Sequence, residues 1–178
     1  MFKEVNKSVK KVDGYSLATG KALFVDDMNF QGLLYAKFLR SPIAHGIIKK
    51  LDVSKSEALK GVHTVLHHKN TDHIPHPTAG QGHPEPSPYD TYMFDKKVRF
   101  VGDFVALVVA ESPEIAKKAV SLIEVEYEEL DAVFDLRKAS EDGVPVIHDE
   151  EDSFGIIDVE KNIAGAVEVN VGDVKKGL

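Results

Sequence analysis

A run of seven apolar residues, Phe104-Val105-Ala106-Leu107-Val108-Val109-Ala110, constrains this chain more than any other feature. It has no polar face, so it reads as a strand covered on both sides. It is far short of the ~20 residues that cross a bilayer, so its cover must be protein. The chain's 178 residues can supply that cover. A domain takes roughly 150 residues, and one of this size buries about 70% of its unfolded surface.

The neighbours of the run provide the first layer. Ser112-Pro113-Glu114 offers a hydroxyl cap, a first-turn proline and an acid at the positive end of a helix. Ile115, Ala116, Ala119, Val120 and Ile123 follow at helical spacing. Residues 123–128 alternate as a half-buried strand with Glu124, Glu126 and Glu128 on its water side. Upstream, residues 33–40 and 46–52 read as strands separated at Ser41-Pro42, because proline cannot donate to a ladder.

Ser54-Lys55-Ser56-Glu57 has the form of a capping box, closed after scarcely two turns by Gly61, and residues 62–67 return as a strand. Asp13-Gly14 and Thr19-Gly20-Lys21 read as turns, and residues 136–139 as a short helix behind Asp135. Val167, Val169 and Val171 alternate with Glu168 and Asn170. The expectation is a single α+β domain over residues 1–178, with mixed strands and two main short helices. Residues 1–12 form an extended arm. Residues 69–92, which hold five of the eight prolines, form a long loop.

Composition excludes several chemistries. There is no cysteine, hence no disulfide, thiol nucleophile or cysteine-ligated zinc or iron–sulfur cluster, and the chain suits a reducing compartment. Lys and Arg number 22 against 29 Asp and Glu, a formal net charge of −7, which argues against nucleic acid. The opening Met1-Phe2-Lys3-Glu4-Val5-Asn6-Lys7 lacks a signal-peptide apolar core. A cytoplasmic location without membrane attachment is expected.

Histidine is the conspicuous candidate for chemistry, with six of eight between His63 and His83. His73 and His76, with two residues between them in a loop, form a metal-binding alternative. His63 and His67 should share a strand face but stand more than ~10 Å apart. Loop histidines of this kind are more often solvated or packing residues. Gly80-Gln81-Gly82 lacks the strand, helix and further glycines of a phosphate cradle. Asp149-Glu150-Glu151-Asp152 reads as a solvated charge run. There is no GxSxG elbow, and no catalytic constellation emerges.

Two segments are less bland. Arg40 and His45 flank the rigid Ser41-Pro42 turn, and Arg99 sits in an apolar strand just ahead of Gly102. A cation in such surroundings needs a carboxylate or carbonyl partner. An internal polar network is the favoured reading, and a docking face for another domain is the sharper one.

These segments, RSPIAH over residues 40–45 and VRFVGD over 98–103, carry a resemblance when taken in order. They are preceded by Thr19-Gly20-Lys21-Ala22 and Val25-Asp26-Asp27-Met28, and followed by Val125-Glu126-Tyr127-Glu128, Asn162 and Gly172-Asp173. The chain resembles the N-terminal α/β-hammerhead domain of the molybdenum-cofactor subunit of the xanthine dehydrogenase and aldehyde oxidase family. Phe104 and Asp131 stand where that family usually has proline.

The resemblance implies a hammerhead fold with mostly antiparallel strands. It also implies that residues 149–178 extend toward cofactor-binding domains further along the subunit. The parent protein would be a molybdopterin-dependent hydroxylase or dehydrogenase that inserts water-derived oxygen into a purine or aldehyde. The molybdenum–molybdopterin would bind outside these residues, iron–sulfur and FAD domains or subunits would be partners, and the fragment alone would be inactive. No catalytic or cofactor-binding residue carries over. Arg40, Pro42, His45, Arg99 and Gly102 are expected in a structural or inter-domain role. The alternative is a free-standing histidine-rich metal-binding or protein-interaction domain.

Overall fold

The computed structural model describes residues 5–6, 8–78, 87–169 and 171–177. Gly80-Gln81-Gly82 and His83 lie outside the described residues. The chain divides into two compact units, Met1–Leu33 and Leu34–Leu178.

In the first unit a short helix α1 (Gly14–Ala18) stands where the sequence suggested only a turn at Asp13-Gly14. The Ser16 hydroxyl donates back to the Asp13 carbonyl at 2.8 Å, and the Thr19 hydroxyl to that of Tyr15 at 2.8 Å. A 3-10 turn at Val25–Asp27 follows, with the Phe24 amide donating to the Asp27 carboxylate at 3.0 Å. None of this unit's described residues is buried.

The second unit holds the core. Strands β1 (Tyr35–Arg40), β2 (Gly46–Asp52) and β3 (Val62–His67) come first, with the one-turn helix α2 (Ser54–Glu57) between β2 and β3. The pair β4 (His76–Pro77) and β5 (Tyr89–Thr91) gives the expected long loop some order. Then follow β6 (Lys97–Val98), β7 (Phe104–Ala110), α3 (Pro113–Val120) and β8 (Glu124–Glu129), with α4 (Val174–Gly177) at the end of the described chain. Every paired strand is antiparallel, in sheets of order β1-β7-β3, β6-β2-β8 and β4-β5.

The apolar run is the central strand β7, and its Val105, Ala106, Val108 and Ala110 are fully buried. Helix α3 packs on β1 and β7 and buries Ala116 and Ala119 against them. Its start is as expected: the Ser112 hydroxyl accepts from the Ile115 amide at 3.3 Å, with proline in the first turn. On β8 the three glutamates face water, and Glu124, Glu126 and Glu128 pair with Lys55, Lys50 and Lys49.

Three local expectations are corrected. The capping box at Ser54 does not form, because the Asp52 carboxylate takes the Ser54 amide at 3.0 Å and its hydroxyl at 2.6 Å. The stop at Gly61 does hold, with φ +90°. His63 and His67 do not share a face. A bulge between Val62 and Thr64 shifts the β3 register, so His63 is exposed while His67 is buried. Residues 136–139 make a turn rather than a helix, its amides capped by Asp135. Residues 164–169 are exposed and form no strand among the described residues. No described helix is long and apolar enough to cross a membrane.

Candidate functional site

The two motifs flagged in the sequence meet at one corner of the second unit. The Ser41 amide donates to the Asp103 carbonyl at 2.8 Å, and the Gly102 amide to the Ser41 carbonyl at 2.8 Å. Arg40 Nη1 donates to the Gly102 carbonyl at 2.9 Å, while its guanidinium lies 4.6 Å from the centre of the Phe104 ring. Gly102 has φ +98°, a conformation that disfavours any side chain. Pro42 rides on a turn that Ser41 closes, its hydroxyl donating to the Ile43 carbonyl at 2.8 Å. His45 is buried, with Nδ1 2.6 Å from the Asp131 carbonyl. A carbonyl only accepts, so Nδ1 carries the proton.

Asp103 ties the corner to the next layer. Its carboxylate accepts from the Arg99 amide at 2.9 Å and the Phe104 amide at 2.8 Å. Burial raises its pKa above the usual carboxylate value, against the pull of those two amides and of the Arg99 charge.

Arg99 is the hub. Its buried guanidinium pairs with Asp95 at 2.8 Å and with Glu150, and donates to the Lys97 carbonyl at 3.1 Å. Lys97, also buried, bonds the Asp149 carboxylate at 2.6 Å and the Ile147 carbonyl at 2.9 Å. Burial pushes the Asp149 carboxyl up, but the Lys97 bond and charge outweigh it and hold the net value low. The Tyr92 hydroxyl donates to Asp152 at 2.7 Å. That bond lowers the Asp152 carboxyl, whereas burial first and the Asp152 contact second raise the Tyr92 phenol. Near Glu150, His148 is held below its ordinary pKa by burial and then by the Arg99 charge.

The run Asp149–Asp152 is largely the solvated stretch its composition suggested, with Asp149, Glu151 and Asp152 exposed, but Glu150 turns inward and the run is tied down as well as solvated. Three of its four acids, Asp149, Glu150 and Asp152, belong to this network. Tyr92 and Asp95 are members that sequence reasoning missed. The usable signal was Arg99 itself, since a buried cation demands carboxylates and this run is the densest supply of them.

His73 stacks on Tyr92 with ring centres 3.9 Å apart, and its two nitrogens lie 3.0 Å from Asp152 and 3.3 Å from Asp95. His76 is an exposed residue of β4. Both ring nitrogens of His73 are thus taken by carboxylates. Among the described residues no group of three or more His, Cys, Asp or Glu is placed to hold a metal. The buried cations Arg99 and Lys97 are neutralised by carboxylates as well. The two buried cations of this corner thus offer no unpaired charge to a phosphate-bearing pterin.

Comparison with known proteins bears on this corner. Residues 19–131 match the family described as aldehyde oxidase and xanthine dehydrogenase, a/b hammerhead domain. The chain is 48% identical over 146 residues to "Probable hypoxanthine oxidase XdhD" of Escherichia coli O157:H7, covering 82% of this chain and 15% of that protein. It is 34% identical over 153 residues to the nicotinate dehydrogenase large molybdopterin subunit of Eubacterium barkeri, covering 83% of this chain and 33% of that one.

Among solved structures, reconstituted CO dehydrogenase from Oligotropha carboxidovorans superposes with a TM-score of 0.67 at 36% identity, over 78% of this chain and 17% of that one. Aldehyde oxidoreductase from Desulfovibrio gigas gives 0.66 at 27% identity, over 78% of this chain and 16% of that one. The chain thus spans a third or less of each of these proteins.

Proposed function

The chain belongs to the aldehyde oxidase and xanthine dehydrogenase family as its α/β-hammerhead domain, and from that premise we propose that it is the architectural part of a molybdenum hydroxylase large subunit. The observation that carries this reading is the family match over residues 19–131, which spans both motifs of the Ser41–Gly102 corner. The parent protein is read as a molybdopterin-dependent oxidoreductase of the xanthine or aldehyde class. Its molybdenum–molybdopterin would supply the redox chemistry from a seat outside these residues. Residues 1–178 are read as a single hammerhead domain, with 1–12 as an arm, 69–92 as the long loop and 149–178 as an extension toward the cofactor-binding domains.

In this reading the domain orients rather than reacts. Arg40, Pro42, His45, Arg99 and Gly102 are positioning residues that fix one corner, and the Arg99 network pins residues 147–152 to it. Downstream domains of the same subunit and iron–sulfur and FAD modules are the expected partners, in the cytoplasm, a location supported by the absence of cysteine.

Reading the gene past codon 178, with molybdenum analysis of the protein purified from its natural source, tests this. A frame continuing into cofactor-binding segments, or one beside it encoding them, together with bound molybdenum, is the expected result. A stop after Leu178 with no such frame adjacent and no molybdenum in the purified protein would overturn it.

A further inference from the structure

The stretch that follows β8 leaves a gap in the hydrogen-bond pattern. On one side of it the Leu130 amide donates to the His45 carbonyl at 3.0 Å and the Asp131 carbonyl accepts from His45. On the other, the Asp135 carbonyl accepts from Lys138 at 3.0 Å. Between these anchors, no amide or carbonyl of Ala132, Val133 or Phe134 has a partner among the described residues.

The same three residues line two cavities at once. One, of about 300 Å³, is closed by Phe100, Val101 and Ile147; the other, of about 320 Å³, by Val144 and Pro145. The lining is mostly apolar, with Asp135 and Lys138 at one end, and it is open: Phe134 is 87% exposed and Val101 65%. The apolar side chains that ring this gap are thus uncovered.

We propose that residues 132–134 are a docking edge for an extended segment of the same polypeptide from beyond residue 178. This rests on the reading of the chain as one domain of a longer subunit, and it names the surface and the chemistry of the contact. A small apolar molecule would fill a cavity but leave the backbone groups unmet. Nucleic acid fits poorly, since the chain carries a net −7 and the one cation lining these cavities besides Lys138 is Arg99, already paired with Asp95 and Glu150.

An extended peptide supplies amides and carbonyls to the backbone and sends alternate side chains into the neighbouring hollows. The edge also directly follows β8, the outer strand of its sheet. A source within the same polypeptide is the choice that the proposed parent supports, since the relatives carry far more chain outside this domain, the match covering only 15% of the Escherichia coli protein and 33% of the Eubacterium barkeri subunit.

The test places the photocross-linking residue benzoylphenylalanine at position 134, and at exposed Lys117 on α3 as a control, in the protein made at full length from its own gene. Intact mass is measured before irradiation, and cross-linked peptides are sequenced afterwards. Links from position 134 to peptides beyond residue 178, several-fold above the yield at 117, are expected. Links only within residues 1–178, to a second copy or to a separate protein, or a yield no greater than the control, would overturn the proposal. A polypeptide whose mass ends at residue 178 has no segment to dock and overturns the proposal before any light is applied, while the parent reading then turns on an adjacent frame and bound molybdenum. A longer polypeptide without links beyond 178 removes the docking edge alone.

Discussion

Around β7 the second unit buries valines, and around Arg99 it buries charges. The β1-β7-β3 sheet with α3 places Val105 and Val108 at 0% exposure and needs no polar group to close it. The corner formed by residues 92–103 and 147–152 encloses Arg99 with Asp95 and Glu150, with side-chain exposures of 9%, 15% and 12%. The sheet draws on apolar burial, which tolerates changes of conditions that leave the side chains intact. The corner depends on every charge keeping its partner. The first is a folding core, and the second fixes the path of the chain as it leaves that core.

The sharpest way to break this contrast is Arg99→Ala. It leaves Asp95 and Glu150 facing each other without their cation, and removing one partner of a buried pair costs about 3–5 kcal/mol. Chemical denaturation should show that loss, and amide exchange should rise first at residues 147–152 rather than in β7. Equal loosening of both regions would mean that the corner and the sheet are one cooperative unit.

Val108→Ala probes the other side. A fully buried valine loses two methyl groups there and leaves a small void, for a loss of about 2 kcal/mol. Exchange should now quicken in β7, β1 and β3 together. The hydrogen bonds of Lys97 to Ile147 and Asp149 should persist, which protection at residues 147–149 would report.

The sequence made the sheet half legible because its signals are local. Residues 46–52, 62–67 and the β7 run carry their pattern within a few positions, and Ser112-Pro113 marks its helix start directly. The charged corner was only half legible. That Arg99 needs a partner is a local inference. That Glu150 is one such partner depends on a fold that brings together residues about fifty positions apart, and period and propensity say nothing of that distance, whereas Asp95 stands only four positions away and was within local reach. Competition explains the failed capping box, since Asp52 reaches the Ser54 amide first. The bulge at His63 is likewise a property of strand pairing that an isolated segment does not reveal.

Acid should separate the two regions without any substitution. Asp149 and Asp152 have carboxyls held below their ordinary value, so their contribution is present above an unfolded pKa of about 3.9 and is lost as pH falls through the folded values. Asp103 works in the opposite sense, because burial raises its carboxyl. Its contribution is present below the unfolded value and is lost as pH rises through the folded one. Below about pH 4 the bonds to Lys97 and Tyr92 should weaken while the Ser41–Gly102 corner beside Asp103 holds. Exchange measured across that range should show residues 147–152 opening before residues 99–104. The reverse order would place the acid-sensitive bonds elsewhere.

The smallest effect makes the cleanest control. Lys50 and Glu126 stand 3.3 Å apart across β2 and β8, with side chains 60% and 68% exposed. The opposition of charge is the same as in Arg99 and Glu150, and only the surroundings differ. Water already solvates both partners, so Glu126→Gln should change stability by less than about 0.5 kcal/mol, and added salt should erase even that. Arg99→Ala should keep most of its effect at high salt, because screening scarcely reaches a buried pair. If Glu126→Gln cost as much as Arg99→Ala, burial would not distinguish the two pairs, and the contrast between corner and surface would have to rest on geometry alone.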